Sequence, residues 1–148
     1  MSDWPGSVLF CCDHNSVRSP MAEGLMKRHA GKSVYVQSAG VKHERDIDGF
    51  SVAVCKELGV ELASHKTRSF QELEELGDEL DTYDLIVALS PTAFEKVKDL
   101  TKFGSTEVIY WETDDPTAAG GDNREDKLAA YRLVRDAIIA NIETRFPS

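Results

Sequence analysis

Apolar residues gather in two short unbroken runs, Ser7–Cys12 (SVLFCC) and residues 84–89 (DLIVAL). Runs of this length fit strands buried on both faces of a parallel sheet. Residues 34–38 (VYVQS) and Glu107–Tyr110 (EVIY) predict two further strands. Between them the pattern turns helical. Ser19-Pro20 reads as a helix start, with Ser19 as N-cap and Pro20 at the first helical position. Ala22, Leu25, Met26 and His29 supply one face of that helix and Gly31 ends it. Residues 50–58 predict a helix ended by Gly59, and Ser90-Pro91 opens another that runs to Leu100. The acidic stretch 70–80 reads as a helix or an irregular, solvated surface segment. Residues 114–123 form a turn-rich loop with Pro116, Gly120 and Gly121. From 124 to 146 a long amphipathic helix follows, with Leu128, Tyr131, Val134, Ile138 and Ile142 near the 3.6-residue period.

Strands that alternate with helices imply βαβ units. The expected fold is α/β: one domain over residues 1–148, in three layers, with a central four-stranded parallel sheet flanked by helices. No repeat or low-complexity segment interrupts it. Open sheets of this class bind ligands beyond the carboxyl ends of their strands, where the loops after the first and fourth strands lie.

Charge and cysteine content narrow the function. The 148 residues carry a net charge of −9, which argues against nonspecific nucleic-acid binding. An anionic ligand must therefore be drawn by a local site. Cys11, Cys12 and Cys55 are too few and too irregular for a disulfide framework. Asp3, Pro5 and Gly6 precede the first apolar run, unlike a signal peptide, and no apolar stretch approaches the roughly 20 residues of a membrane span. The expectation is a cytoplasmic protein with reduced thiols and no membrane or nucleic-acid partner.

The densest chemistry lies between Cys12 and Ser19. Five residues separate Cys12 from Arg18, and Ser19 follows. A loop of this length between a strand end and a helix start can curl so that its N–H groups converge on one point beside the helix N-terminus. Asp13, His14, Asn15, Ser16, Val17, Arg18 and Ser19 would then bind a phosphate, with the planar fork of Arg18 gripping two oxygens. Cys12 lies beneath, where these donors favour a thiolate nucleophile. Ser19 can donate to that sulfur, and Asn15 tolerates a left-handed backbone. A cysteine closing a buried strand is usually just a small core residue. At average usage the spacing arises by accident in about 2% of such chains, and its place between strand and helix weighs further against chance.

The segment Cys12-Asp13-His14-Asn15-Ser16-Val17-Arg18-Ser19-Pro20-Met21-Ala22-Glu23 resembles the active-site segment of the low-molecular-weight protein tyrosine phosphatases. The similarity continues through Ser38-Ala39-Gly40, residues 65–68, the strand at 84–89, a late Asp-Pro and the final helix. It implies a cofactor-free phosphatase in which Cys12 attacks phosphorus and Arg18 binds the phosphoryl oxygens. Asp115, in the pair Asp115-Pro116, would protonate the leaving group. The resemblance also gives Ser38 a supporting role, as hydrogen-bond partner of Asn15. Asp114 is the neighbouring rival for the acid, and Asp-Asp-Pro alone would simply build a turn.

Three positions depart from the family's pattern. His14 stands where many members have Gly, and Val17 where many carry a second, protective Cys. Thr117 and Ala118 follow Asp115-Pro116 in place of an aromatic that flanks a phenyl ring. Phe50 and Trp111 are the candidates to replace that aromatic wall, or else they belong to the core. His65, Lys66 and Arg68 form a small basic group, more often solvated than functional. Cys55 reads as core, and His29 and His43 have no partners for a metal site. The expected substrates are a phosphorylated protein or a small phosphomonoester, with phosphate and other oxyanions binding the loop, on a monomer or weak dimer. Two other functions compete. One is arsenate reduction on the same fold, which needs further thiols to carry a disulfide outward. The other is a catalytically weak phosphate-binding module.

Overall fold

A computed structural model describes residues 4–119 and 123–148. Four parallel strands form one sheet in the order β2-β1-β3-β4: β1 Ser7–Cys12, β2 Tyr35–Gly40, β3 Leu85–Ala88 and β4 Glu107–Tyr110. The central strands β1 and β3 are covered on both faces, which is why their sequences are continuously apolar. Side chains alternate across the sheet. Val8, Phe10 and Cys12 of β1 point into one core, Leu9 and Cys11 into the other.

Among the described residues, five helices complete the layers: α1 Arg18–Ala30, α2 Gly49–Lys56, α3 Phe70–Glu75, α4 Pro91–Leu100 and α5 Arg124–Arg145. Helices α1, α2 and α5 pack together over the first core, and α3 and α4 over the second. This is the expected three-layer α/β domain. Strand β1 leads to β2 by way of α1 on one face, while β3 leads to β4 by way of α4 on the other. The connections diverge at the carboxyl ends of β1 and β3, the place where such sheets bind ligands.

Helix α4 starts as expected, with Ser90 accepting from the Ala93 N–H and Pro91 at the first position. Gly31 closes α1 with φ 60. The long final helix buries Leu128, Tyr131, Val134, Ile138 and Ile142 as its period requires. It also buries Arg135, whose Nη1 donates to Val54 O and Glu57 Oε1, both at 2.8 Å.

Several boundaries differ from the sequence reading: the helix expected at 50–58 is Gly49–Lys56 and the strand expected at 84–89 is Leu85–Ala88. The strand expected at 34–38 begins and ends later, at Tyr35 and Gly40. The stretch 70–80 divides into α3 and a short 3₁₀ turn at Leu80–Thr82. Gly77, at φ 103, ends the first piece, and Asp78 turns back to accept from the Tyr35 and Tyr83 hydroxyls. Finally, α1 starts at Arg18 rather than Pro20. Its cap is Val17, which offers no side-chain acceptor, so Ser19 lies inside the helix. Pro116–Ala118 forms a single 3₁₀ turn within the late loop. Gly120 and Gly121 lie outside the described residues.

Ile138 is fully buried on α5, whereas Leu133 on the same helix is 73% exposed. In urea denaturation, Ile138→Ala should cost about 2–5 kcal/mol, and Leu133→Ala no more than about 0.5 kcal/mol.

Candidate active site

The loop from Cys12 to Arg18 is folded so that its carbonyls face outward. Val41 N–H donates to Cys12 O (3.1 Å), Lys42 N–H to Asp13 O (2.9 Å) and Asp48 N–H to Ser16 O (2.9 Å). The Ser51 hydroxyl donates to Val17 O at 3.4 Å. Among the described residues, the N–H groups of His14, Asn15, Ser16 and Val17 find no protein acceptor. They join the uncapped N-terminus of α1, whose first turn carries no acidic side chain. Unpartnered amides beside a helix N-terminus form a site for an anion.

Asn15 holds this shape. Its φ is 57, the one left-handed non-glycine residue among those described. Its Nδ2 donates to Ser19 Oγ and Ser38 Oγ, both at 2.9 Å, and its Oδ1 accepts from Arg68 N–H at 3.0 Å. Because the backbone N–H fixes the amide's orientation, His65 Nε2, 3.1 Å from Oδ1, must be the donor there. Burial holds the His65 pKa below the ordinary imidazole value, although Glu23 beside it works the other way. Ser38 Oγ donates to Glu23 Oε1, and Lys27 pairs with Glu23 at 2.6 Å. Gly40 pairs across the sheet with Cys12. A Cβ on Gly40 would lie 2.7 Å from both Asn15 N and His14 C, so the loop can pass only over a glycine.

Ser19 Oγ, already an acceptor from Asn15, stands 3.0 Å from Cys12 Sγ with its hydrogen free to face the sulfur. Arg18 is buried at its stem. Its Nη1 donates to Leu89 O (3.3 Å) and Thr113 O (3.0 Å), while Nη2 lies 3.6 Å from Asp13 Oδ2 and 3.9 Å from Asp115 Oδ2. Asp13 is itself held, accepting from Ser90 Oγ at 2.7 Å. The half-exposed Asp115 accepts from Thr117 N–H at 3.1 Å. Burial pushes its carboxyl upward, but the Thr117 hydrogen bonds and the charges of Arg18 and Arg45 outweigh that and hold its pKa below the usual range.

A narrow cavity of about 10 Å³ is lined by Cys12, Asp13, His14, Ser16, Val17, Arg18, Arg45, Asp115 and Thr117. Cys12, Arg18 and Asp115 thus meet in one place. Asn15 and Ser19 do not line it and instead support it from behind, as does Ser38. Asp114 borders a different cleft, so Asp115 is the carboxylate that faces the loop. Phe50 packs at a tilt against Tyr131 and Trp111 against Phe10, and neither lines the cavity. His65 braces Asn15 instead of reaching the cavity. His29 stacks on Trp4, and His43 pairs with Glu72. Arg45 was missed by the sequence reading, because the loop after β2 carries no periodic or motif signal.

The matching family model is "low molecular weight phosphotyrosine protein phosphatase", over residues 7–145. The chain belongs to this family. An arsenate reductase of Halalkalibacterium halodurans is 33% identical over 138 residues, 93% of this chain and 92% of that protein. A structure of an arsenate reductase from Archaeoglobus fulgidus is 28% identical, with a TM-score of 0.68 and coverage of 93% and 97%. Wzb of Vibrio vulnificus, solved with benzylphosphonate, gives a TM-score of 0.72 at 20% identity and covers 95% of this chain and 99% of that one. The family model is thus named for a phosphatase, while the two relatives of higher identity are named arsenate reductases.

Two predictions follow from the geometry. Burial pushes the Cys55 thiol up to about 12 and raises Cys11 as well, Cys12 adding to the latter, so both stay protonated and inert near neutral pH. Iodoacetate at pH 8, read by mass spectrometry, should alkylate Cys12 alone, and phosphate should protect it. Asn15→Gly keeps the left-handed backbone but loses four hydrogen bonds, and Asn15→Ala loses both. Thermal or urea unfolding should show both variants destabilised by a few kcal/mol, with Ala the worse by about 1 kcal/mol.

Proposed function

We propose that the chain is a cysteine-dependent phosphomonoester hydrolase, acting on phosphotyrosine in polypeptides through a phosphocysteine intermediate. The observation that carries this reading is the meeting of Cys12, Arg18 and Asp115 around one cavity, lined also by His14, Ser16 and Val17 with their unpartnered amides. The Cys12 thiolate attacks phosphorus in line as the P–O bond to the leaving group breaks. The loop amides and Arg18 stabilise charge on the equatorial oxygens. Arg18 Nη1 is anchored by carbonyls, which leaves its remaining N–H groups for the phosphoryl group. In the free protein Asp115 is ionised and faces Arg18. A phosphoryl dianion in the cradle takes over Arg18 and, as a neighbouring negative charge, raises the proton affinity of Asp115. Asp115 then protonates the leaving oxygen. Water attacks the phosphocysteine, Asp115 takes the proton, and the S–P bond breaks with Ser19 donating to the departing sulfur. The benzylphosphonate in the Vibrio vulnificus neighbour supports a phosphoryl site here. The chemistry needs Cys12 reduced, which fits the cytoplasmic setting expected from the sequence.

The names of the similar proteins favour a second reading, arsenate reduction at the same site. There the Cys12 thiolate would bind arsenic, and a second thiol would attack the sulfur, forming a disulfide and releasing arsenite. Cys11 points into the opposite core, its thiol toward Val87 O, and Cys55 is fully buried. The second thiol would have to come from a separate molecule.

Aryl phosphate hydrolysis by wild type, Cys12→Ser and Asp115→Ala, beside arsenate reduction with an added small thiol, separates these readings. Cys12→Ser should abolish turnover, and Asp115→Ala should slow it about 10²–10⁴-fold with phosphate affinity little changed. Unimpaired hydrolysis by Cys12→Ser would sink the hydrolase. Arsenate reduction outpacing hydrolysis would install the second reading, and phosphate binding without either turnover would leave a binding module.

A further inference from the structure

Beyond the catalytic cavity, the loop carrying Asp115 and the outer face of α5 enclose a second cleft of about 620 Å³. Its floor is aliphatic: Ala130, Leu133, Val134 and Ala137. Its rim carries Glu112 and Asp114, and no lysine or arginine among the described residues lines it. The wall is held in place, since Lys127 Nζ on α5 donates to Thr117 O (3.2 Å) and Ala119 O (3.4 Å). Asp115 borders both this cleft and the catalytic cavity, so the two are neighbours on either side of the side chain proposed to meet the leaving group.

We propose that this cleft is the subsite for the polypeptide flanking the phosphorylated residue, and that it selects a lysine or arginine there. The proposal rests on the hydrolase reading and names its substrate class more closely. A long cationic side chain matches the cleft in both respects. Its methylene stem covers Ala130, Val134 and Ala137, and its head reaches Glu112 and Asp114 at the rim.

The test uses two peptides carrying a non-hydrolysable phosphonate analogue of phosphotyrosine, one flanked by lysines and the other by glutamates. Both are titrated calorimetrically against wild type, Ala137→Trp, Glu112→Gln/Asp114→Asn and, as a remote control, Glu74→Gln/Glu75→Gln on α3. Aryl phosphate turnover is measured on the same proteins. Wild type should bind the basic peptide roughly five- to tenfold more tightly. That preference should fall below about twofold in Ala137→Trp and in Glu112→Gln/Asp114→Asn, and survive in the α3 control, with aryl phosphate turnover unchanged throughout. Loss of preference in the α3 control would assign it to the overall charge of −9 and overturn the subsite. A preference intact in Ala137→Trp, or no binding of either peptide, would overturn it too. Absence of aryl phosphate turnover in wild type would instead count against the hydrolase, while the peptide preference still judges the cleft.

Discussion

Asn15 is bonded at all four of its side-chain hydrogen-bonding positions, and the candidate site depends on that arrangement. Its amide joins three separate pieces of chain: the loop after β1, the end of β2 through Ser38, and the segment at His65 and Arg68. With φ at 57 it turns the loop sharply over Gly40. An asparagine meets the steric demand of a left-handed backbone and also supplies two donors and two acceptors. The register of β1 against β2 places Cys12 opposite Gly40, so pairing of the two strands sets the height at which the loop crosses. The sheet therefore determines where Cys12 stands, and Asn15 determines how the loop curls around it.

That curl explains how a protein of net charge −9 can hold an anion. Carbonyls of residues 12, 13 and 16 are tied outward to the segment between β2 and α2, and that of residue 17 to Ser51 on α2. The amides that remain, an uncapped helix end and Arg18 concentrate positive potential in a few ångströms. Asp13 and Asp115 then serve as temporary partners for Arg18 in the ligand-free protein. Their distances of 3.6 and 3.9 Å are longer than a charged hydrogen bond, so an entering oxyanion displaces little.

Much of this was legible in the residues. The two buried strands followed from unbroken apolar runs, α5 from its period, and the loop from the spacing of Cys12, Arg18 and Ser19. The start of α1 was misread because Ser19-Pro20 has the composition of a cap, yet the Ser19 hydroxyl is committed to Cys12 and Asn15. The split of residues 70–80 depends on Asp78 meeting Tyr35 and Tyr83, a contact between distant parts of the chain. Arg45 and the Arg135–Glu57 pair were hidden for the same reason. Phe50 and Trp111 were offered as a substrate wall because aromatic residues serve both core and surface; their partners Tyr131 and Phe10 place them in the core.

The choice between the two chemistries of the family turns on thiols. Hydrolysis needs one sulfur and a water molecule, and both electrons of the S–P bond return to that sulfur. Reduction of arsenate removes two electrons from thiols, so a second sulfur must reach the first. In this chain the immediate neighbour, Cys11, is excluded by strand geometry, since adjacent residues face opposite sides of the sheet. Cys55 shares a core with Cys12 but is fully enclosed on α2, and burial keeps it protonated. Position 17 holds a buried valine that lines the cradle and offers no thiol. The carboxylate of Asp115 does not separate the two, because thiolate attack on phosphorus or on arsenic expels an oxygen that needs a proton.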